Sequence, residues 1–129
     1  MVKGVPATLV DFETRLMEGG PGIRLFLRRK QKNQYATMEL KFAHKPQYNQ
    51  MTVPFPTQRW VHVKLHLQLS NHEDGLIEIW QDGVKILSMK GQTLPNHDTV
   101  YNAMEVGITA TSMEAELIVD GIAVSNEPL

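Results

Sequence analysis

Apolar and polar residues alternate along most of this chain with a period of two. No window of useful length keeps apolar residues at the i, i+3, i+4 and i+7 spacing of a helix. Thr8 to Met17 reads as a first strand, with the acidic positions Asp11 and Glu13 turned outward. The stretch from Glu18 to Gly22 breaks it. Ile23, Leu25 and Leu27 then alternate with Arg24, Phe26 and Arg28, predicting a second strand. The basic run from Arg28 to Asn33 reads as a solvated loop, too short for a polyanion-binding stripe. Gln34 to Phe42 predicts a third strand, with Ala36, Met38, Leu40 and Phe42 inward and Tyr35, Thr37, Glu39 and Lys41 outward. Ala43 to Pro46 ends it. Tyr48 to Val53 is a short fourth strand, limited by Pro54 and Pro56, which cannot donate to a ladder.

The clearest pattern lies in residues 59 to 87. Val61, Val63, Leu65, Leu67 and Leu69 alternate with His62, Lys64, His66 and Gln68. Ser70 to Gly75 is rich in turn formers, so the chain folds back into Leu76 to Gln81. A one-residue slip would exchange the faces of such a pair, and the apolar pattern selects the register. Leu67 opposite Ile77 and Leu65 opposite Ile79 bring the aliphatics to one side. The other side then carries Trp60, His62, Lys64, His66, Gln68, Glu78 and Trp80. That face is polar yet holds two tryptophans. It is either a solvated outer face or the floor of a groove in which Trp80 stacks on a sugar ring.

After the turn at Asp82 and Gly83, Val84 to Met89 predicts another strand, and Gly91 to Asp98 a loop. Val100 to Ala110 is read as a strand with Met104, Val106 and Ile108 on one side and Tyr101, Glu105 and Thr109 on the other. Met113 to Val119 and Gly121 to Val124 are expected to close the fold, bent at Asp120. About nine strands with turn signals between them indicate an all-β, antiparallel sandwich or barrel with no substantial helix.

Length and composition narrow the function classes. The 129 residues suit a single domain spanning residues 1–129. A net charge of −1 gives no field that argues for nucleic acid or an anionic membrane. The absence of cysteine excludes disulfides, thiolate zinc sites and cysteine nucleophiles. No apolar run approaches the ~18 residues of a membrane span. The N-terminal segment lacks the apolar core and cleavage site of a signal peptide, although a chain cut from a longer protein would read the same way, so the compartment stays unknown.

Two stretches carry a family resemblance. Arg59-Trp60-Val61-His62-Val63, followed by Asp74 to Gly83, resembles the "W-h-x-V … D-G-x-I-x-h-W-x-D-G" pattern of the concanavalin A-like lectin/glucanase jelly rolls, especially their laminin-G-like and polysaccharide-lyase branches. Met104 to Ile108 and Ala115 to Ser125 are similar to the closing strands of such domains. The likeness covers residues 59–125 well and residues 8–55 by pattern only. It implies an antiparallel jelly-roll β-sandwich of about nine to eleven strands, and a fold shared by hydrolases, lyases, lectins and adhesive modules leaves the function to the site. The chain is short for that superfamily, and an exposed sheet edge would be protected by pairing two copies, so a homodimer is expected.

The motif tests are mostly negative. The glucanase branch needs acids in an E-x-D-x-E array, and Glu114 with Glu116 supplies only part of it. The alginate-lyase branch needs Q-x-H; His66-Leu67-Gln68 has the pair reversed, and the Tyr101 to Glu105 stretch lacks that branch's lysine. A lyase would have to use His62 or His66 as base, with Tyr101 nearby. His62 and His66 are about 13 Å apart at ~3.3 Å per residue, too far to share one ion, and His44, His72 and His97 add no zinc spacing. No cofactor is expected; a structural calcium ion would need Asn71, Glu73 or Asp74, without the alternation of a calcium loop.

The leading expectation is a non-catalytic, lectin-like module that binds an oligo- or polysaccharide. Trp80 would be the platform, with His62, Lys64, His66, Glu78, Tyr101 and Glu39 as polar contacts if the strand order brings the last two to the same face. The alternatives are a small polysaccharide-active enzyme, a lyase rather than a hydrolase, and a structural self-association domain without a small ligand.

Overall fold

The computed structural model describes residues 7–13, 21–29, 35–42, 47–108 and 115–129. These contain eight strands: β1 Ala7–Glu13, β2 Pro21–Arg28, β3 Thr37–Phe42, β4 Gln47–Pro54, β5 Val63–Gln68, β6 Leu76–Gln81, β7 Val84–Lys90 and β8 Ala103–Val106. They form a five-stranded sheet in the order β4-β3-β2-β1-β8 and a three-stranded sheet in the order β5-β6-β7. Every strand pair is antiparallel. There is no helix among the described residues. The architecture is an antiparallel β-sandwich, with eight described strands where nine to eleven were expected.

The core forms where the apolar faces of the sheets meet. Leu9, Ile23, Leu25, Met38 and Leu40 come from the larger sheet, and Ile77 and Ile79 from the smaller. Fully burying such a side chain is worth about 1.5–3 kcal/mol. The register of β5 on β6 pairs Lys64 with Trp80, Leu65 with Ile79 and Leu67 with Ile77, as the alternation predicts. A slip by one residue would drive the Glu78 carboxylate into the core, where an unpaired charge costs several kcal/mol. Asp82 and Gly83 both have positive φ (51° and 81°), the requirement of the tight type I′ turn that joins β6 to β7. Gln81 also tethers one sheet to the other, donating from Nε2 to the Pro54 carbonyl at 2.8 Å.

Three sequence expectations change. Asp11 does not face water: it is 5% exposed, because β1 lies inside the sheet with Arg24 of β2 and Glu105 of β8 as its neighbours across the strands. Tyr101 does not stand on the polar side with Glu105. It precedes the β8 ladder, free of strand alternation, and packs against the core with its hydroxyl on the Thr93 carbonyl at 2.9 Å. The two closing strands do not form within residues 115–129. Leu117 packs against the core, but Ile118 and Val124 are exposed, and Gly121 takes a positive φ (65°) with its N–H donating to Asp120 Oδ1. Alternation alone makes no strand without a neighbouring ladder to bond. The expected extension of β1 to Met17, the break at Glu18–Gly20, the basic loop from Lys30 to Asn33, the Ala43–Pro46 break with His44, residues 109–110 and Glu114 lie outside the described residues.

Candidate functional site

The outer face of the small sheet is built in cross-strand rows. One row is Lys64, Trp80 and Lys85; the next is His66, Glu78 and Ser88; the third is Gln68, Leu76 and Lys90. The two-residue turn at Asp82 and Gly83 sets Lys85 opposite Trp80, and a bulge at Ile86 then shifts β7 by one residue so that Leu87 faces Ile79 and Ser88 faces Glu78. The ammonium groups of Lys64 and Lys85 lie 4.3 Å and 5.2 Å from the centre of the Trp80 ring, within cation–π range. Glu78 accepts hydrogen bonds from the Lys85 ammonium and, at 3.0 Å, from His66 Nδ1. An ionised carboxylate only accepts, so His66 carries its hydrogen on Nδ1.

These two partners, Lys85 first and His66 second, hold the Glu78 carboxyl below its ordinary 4.5. A depressed folded-state value means stabilisation that is full above 4.5 and fades as pH falls through the lowered value. Glu78→Gln is therefore expected to show a smaller loss of stability on acidification than the unaltered chain. Urea unfolding at neutral and acidic pH measures this; equal acid losses in both proteins would contradict it.

Asp82 organises the end of this face. Its Oδ1 accepts the His62 backbone N–H at 3.0 Å, its own N–H donates to the His62 carbonyl at 2.8 Å, and Oδ2 pairs with Arg59 Nη2 at 3.1 Å. Arg59 Nη1 donates to the Trp60 carbonyl at 3.0 Å. The hydrogen bond from the His62 backbone, then the Arg59 guanidinium, lowers the Asp82 carboxyl. His62 is thus held by its main chain. At the opposite end of the hairpin, Asp74 accepts from the Ser70 hydroxyl, and its carbonyl accepts from Gln68 Nε2 at 2.9 Å. No cluster of three or more metal-ligating side chains occurs among the described residues.

Trp80, Lys64, His66 and Glu78 therefore come together, with His62 just ahead of β5. Tyr101 and Glu39 stand elsewhere. Burial pushes the Tyr101 hydroxyl up to about 12, and its hydrogen is committed to Thr93. Glu39 is buried on the outer side of the larger sheet, 3.2 Å from Arg28 Nε. Beside it, Asp11 pairs with Arg24 at 2.9 Å; burial raises the Asp11 carboxyl despite that guanidinium, and Glu13 and Glu105 raise it further. The roles of Lys85, Arg59 and Asp82 escaped the sequence reading. The two-residue Asp82-Gly83 turn was the available signal, since a tight hairpin brings the residue after Val84 back to Trp80.

These features define an antiparallel β-sandwich whose smaller sheet presents an open face of one aromatic ring among paired charges. Residues 8–122 match the family model described as polysaccharide lyase, and the chain belongs to that family, within the concanavalin A-like jelly-roll superfamily. No curated protein and no solved structure matches the chain significantly. The family makes a carbohydrate-related function the common ground of the readings below. No helix among the described residues is long and apolar enough to cross a membrane.

Proposed function

We propose that this chain binds an acidic oligo- or polysaccharide, without catalysis, on the outer face of its small sheet. The observation that carries the reading is the Lys64–Trp80–Lys85 row, with both ammonium groups beside one indole ring. The ring offers an apolar surface to the C–H face of a pyranose, and the flanking cations complement a sugar carboxylate. At an exposed site a lysine–tryptophan contact is worth about 0.5–1 kcal/mol, so a sugar ring can displace Lys64 from the indole at small cost. Glu78 and His66 in the next row supply an acceptor and a donor for hydroxyls.

Calorimetric titration with uronate-containing and neutral oligosaccharides tests this. Trp80→Ala is expected to weaken binding of the uronate ligand about tenfold or more, the cost of losing a central aromatic contact. Lys64→Gln with Lys85→Gln should erode the preference for acidic over neutral ligand. Unchanged affinity in Trp80→Ala sinks the reading.

A second reading, lyase activity, is favoured by the His66–Glu78 pair and by the family. With Nδ1–H directed at Glu78, the His66 Nε2 lone pair is free to take the C5 proton of a uronate. β-Elimination also needs a proton for the departing O4, and Tyr101, expected near the histidine base, has its hydroxyl on Thr93 instead. Binding therefore ranks first. Ultraviolet absorbance from unsaturated products, lost in His66→Ala, would reverse the order.

A further inference from the structure

We infer that Trp60, with Arg59, forms a second subsite for the same glycan, so that the chain recognises its length as well as its charge. This rests on the binding reading above and extends it along β5. Trp60 is 65% exposed, a large apolar surface left in water. Exposed tryptophans on otherwise polar surfaces mark contact sites more often than isolated aliphatics do.

The main chain that carries the ring is fixed. Arg59 bridges the Trp60 carbonyl (3.0 Å) and Asp82 Oδ2 (3.1 Å), while Asp82 exchanges hydrogen bonds with the His62 main chain on both its N–H and carbonyl. Those bonds continue the β5–β6 ladder past its last regular pair, Val63 with Gln81. They carry the pairing as far as His62, and Trp60 stands two residues before it, ahead of β5 at the end of the strip where Asp82 turns the chain. An exposed ring on an immobilised backbone loses little entropy when a ligand covers it, which is the property of a preorganised contact.

Spacing and charge identify the occupant. Trp60 lies four residues from Lys64, the partner of Trp80, about 13 Å for extended chain at ~3.3 Å per residue. That separation exceeds one sugar ring, so one pyranose cannot cover both indoles and a chain of several can. Cations stand at both positions: Lys64 and Lys85 at the Trp80 ring, and the half-exposed Arg59 guanidinium on the Trp60 carbonyl. An extended acidic glycan laid along β5 meets an aromatic surface and a positive charge at each end of the strip. A neutral or short ligand meets only part of it.

The test uses the full chain, as wild type and as Trp60→Ala, Trp60→Phe and Trp80→Ala, titrated calorimetrically with uronate disaccharide and hexasaccharide. Wild type is expected to bind the hexasaccharide more tightly. Trp60→Ala should lose about tenfold for the hexasaccharide while leaving the disaccharide unchanged, and Trp60→Phe should restore most of the loss. Trp80→Ala should weaken both ligands. Unchanged hexasaccharide affinity in Trp60→Ala, with Trp80→Ala still impaired, overturns the second subsite and leaves the Trp80 reading standing. Equal losses for both ligands in Trp60→Ala also overturn it. A change of oligomeric state in Trp60→Ala at unaltered affinity assigns the ring to contact between copies and overturns it as well. No binding in wild type, or none of the effect in Trp80→Ala, removes the underlying reading itself.

Discussion

Ile79→Ala is expected to lower the free energy of unfolding by about 2–5 kcal/mol, enough to leave a small sandwich marginal. Ile79 has no exposed surface and sits where the sheets meet. Leu65 and Leu87 flank it on the neighbouring strands, and Ile23, Leu25, Met38 and Leu40 belong to the same buried cluster. Truncation removes transfer free energy and leaves a cavity that extended strands on both sides cannot easily collapse to fill. Ile79→Val, which removes one methylene, should cost about 0.5–1.5 kcal/mol. Ile118→Ala is the control: Ile118 is 68% exposed, and its loss should stay within about 0.5 kcal/mol. Urea unfolding of the three variants gives the ranking. If Ile79→Ala cost no more than Ile118→Ala, the two sheets would not enclose Ile79.

The second large effect is expected at Gly75, at the entry to β6. A Cβ placed there would lie 2.3 Å from the Gly91 carbonyl oxygen and 2.7 Å from Thr93 Oγ1. Both atoms belong to a buried staple between loops. Gly91 N–H donates to the Gly75 carbonyl at 2.9 Å, and Thr93 N–H to the Ser70 carbonyl at 2.9 Å. The Thr93 hydroxyl donates to the Gln68 carbonyl at 2.9 Å and accepts the Ser70 N–H at 2.7 Å. A methyl group at Gly75 must push a main-chain carbonyl aside, and overpacking of that kind costs about 1–3 kcal/mol before hydrogen bonds are counted. Each bond broken with its buried partner left unpaired adds about 1–3 kcal/mol. Gly75→Ala should therefore destabilise by at least about 1–3 kcal/mol, and Thr93→Val, which leaves the Gln68 carbonyl and the Ser70 N–H without their partner, by about 1–3 kcal/mol for each of the two groups. Thermal and urea unfolding compare them; a Gly75→Ala protein as stable as wild type would show that the two loops are not in this contact.

How far the chain could be read without its structure depends on the distance over which each feature is decided. The β5–β6 register was legible because both strands lie within one hairpin, and because only one register keeps Ile77 and Ile79 on the aliphatic side and Glu78 out of the core. Lys64, His66, Glu78 and Trp80 were grouped correctly for the same reason. Glu39 and Tyr101 were not, since each reaches its position through strand order or a loop contact. Glu39 is on the second sheet beside Arg28, and Tyr101 is held by a carbonyl eight residues earlier.

The pattern at residues 115–124 is the opposite case: two apolar runs on either side of Asp120-Gly121 that read as closing strands, yet no ladder forms within residues 115–129. Alternation encodes which side chains could share a face. A strand also needs main-chain partners from elsewhere in the chain, and the spacing of residues does not specify them. Asp11 teaches the same lesson in reverse, since a polar position that reads as solvent-facing becomes buried once β2 and β8 close around it.

By itself, then, the sequence determined the all-β class, the turn at Asp82-Gly83 and the face that carries Trp80, because each follows from contacts within a few residues or one hairpin. Only the tertiary structure decided that two lysines flank the Trp80 ring, that Arg59 and Asp82 fix the chain at Trp60, and that Glu39 and Tyr101 stand apart from them. Those outcomes depend on where long side chains settle, on the order of strands in two sheets and on hydrogen bonds between residues up to 23 positions apart, which local alternation cannot encode.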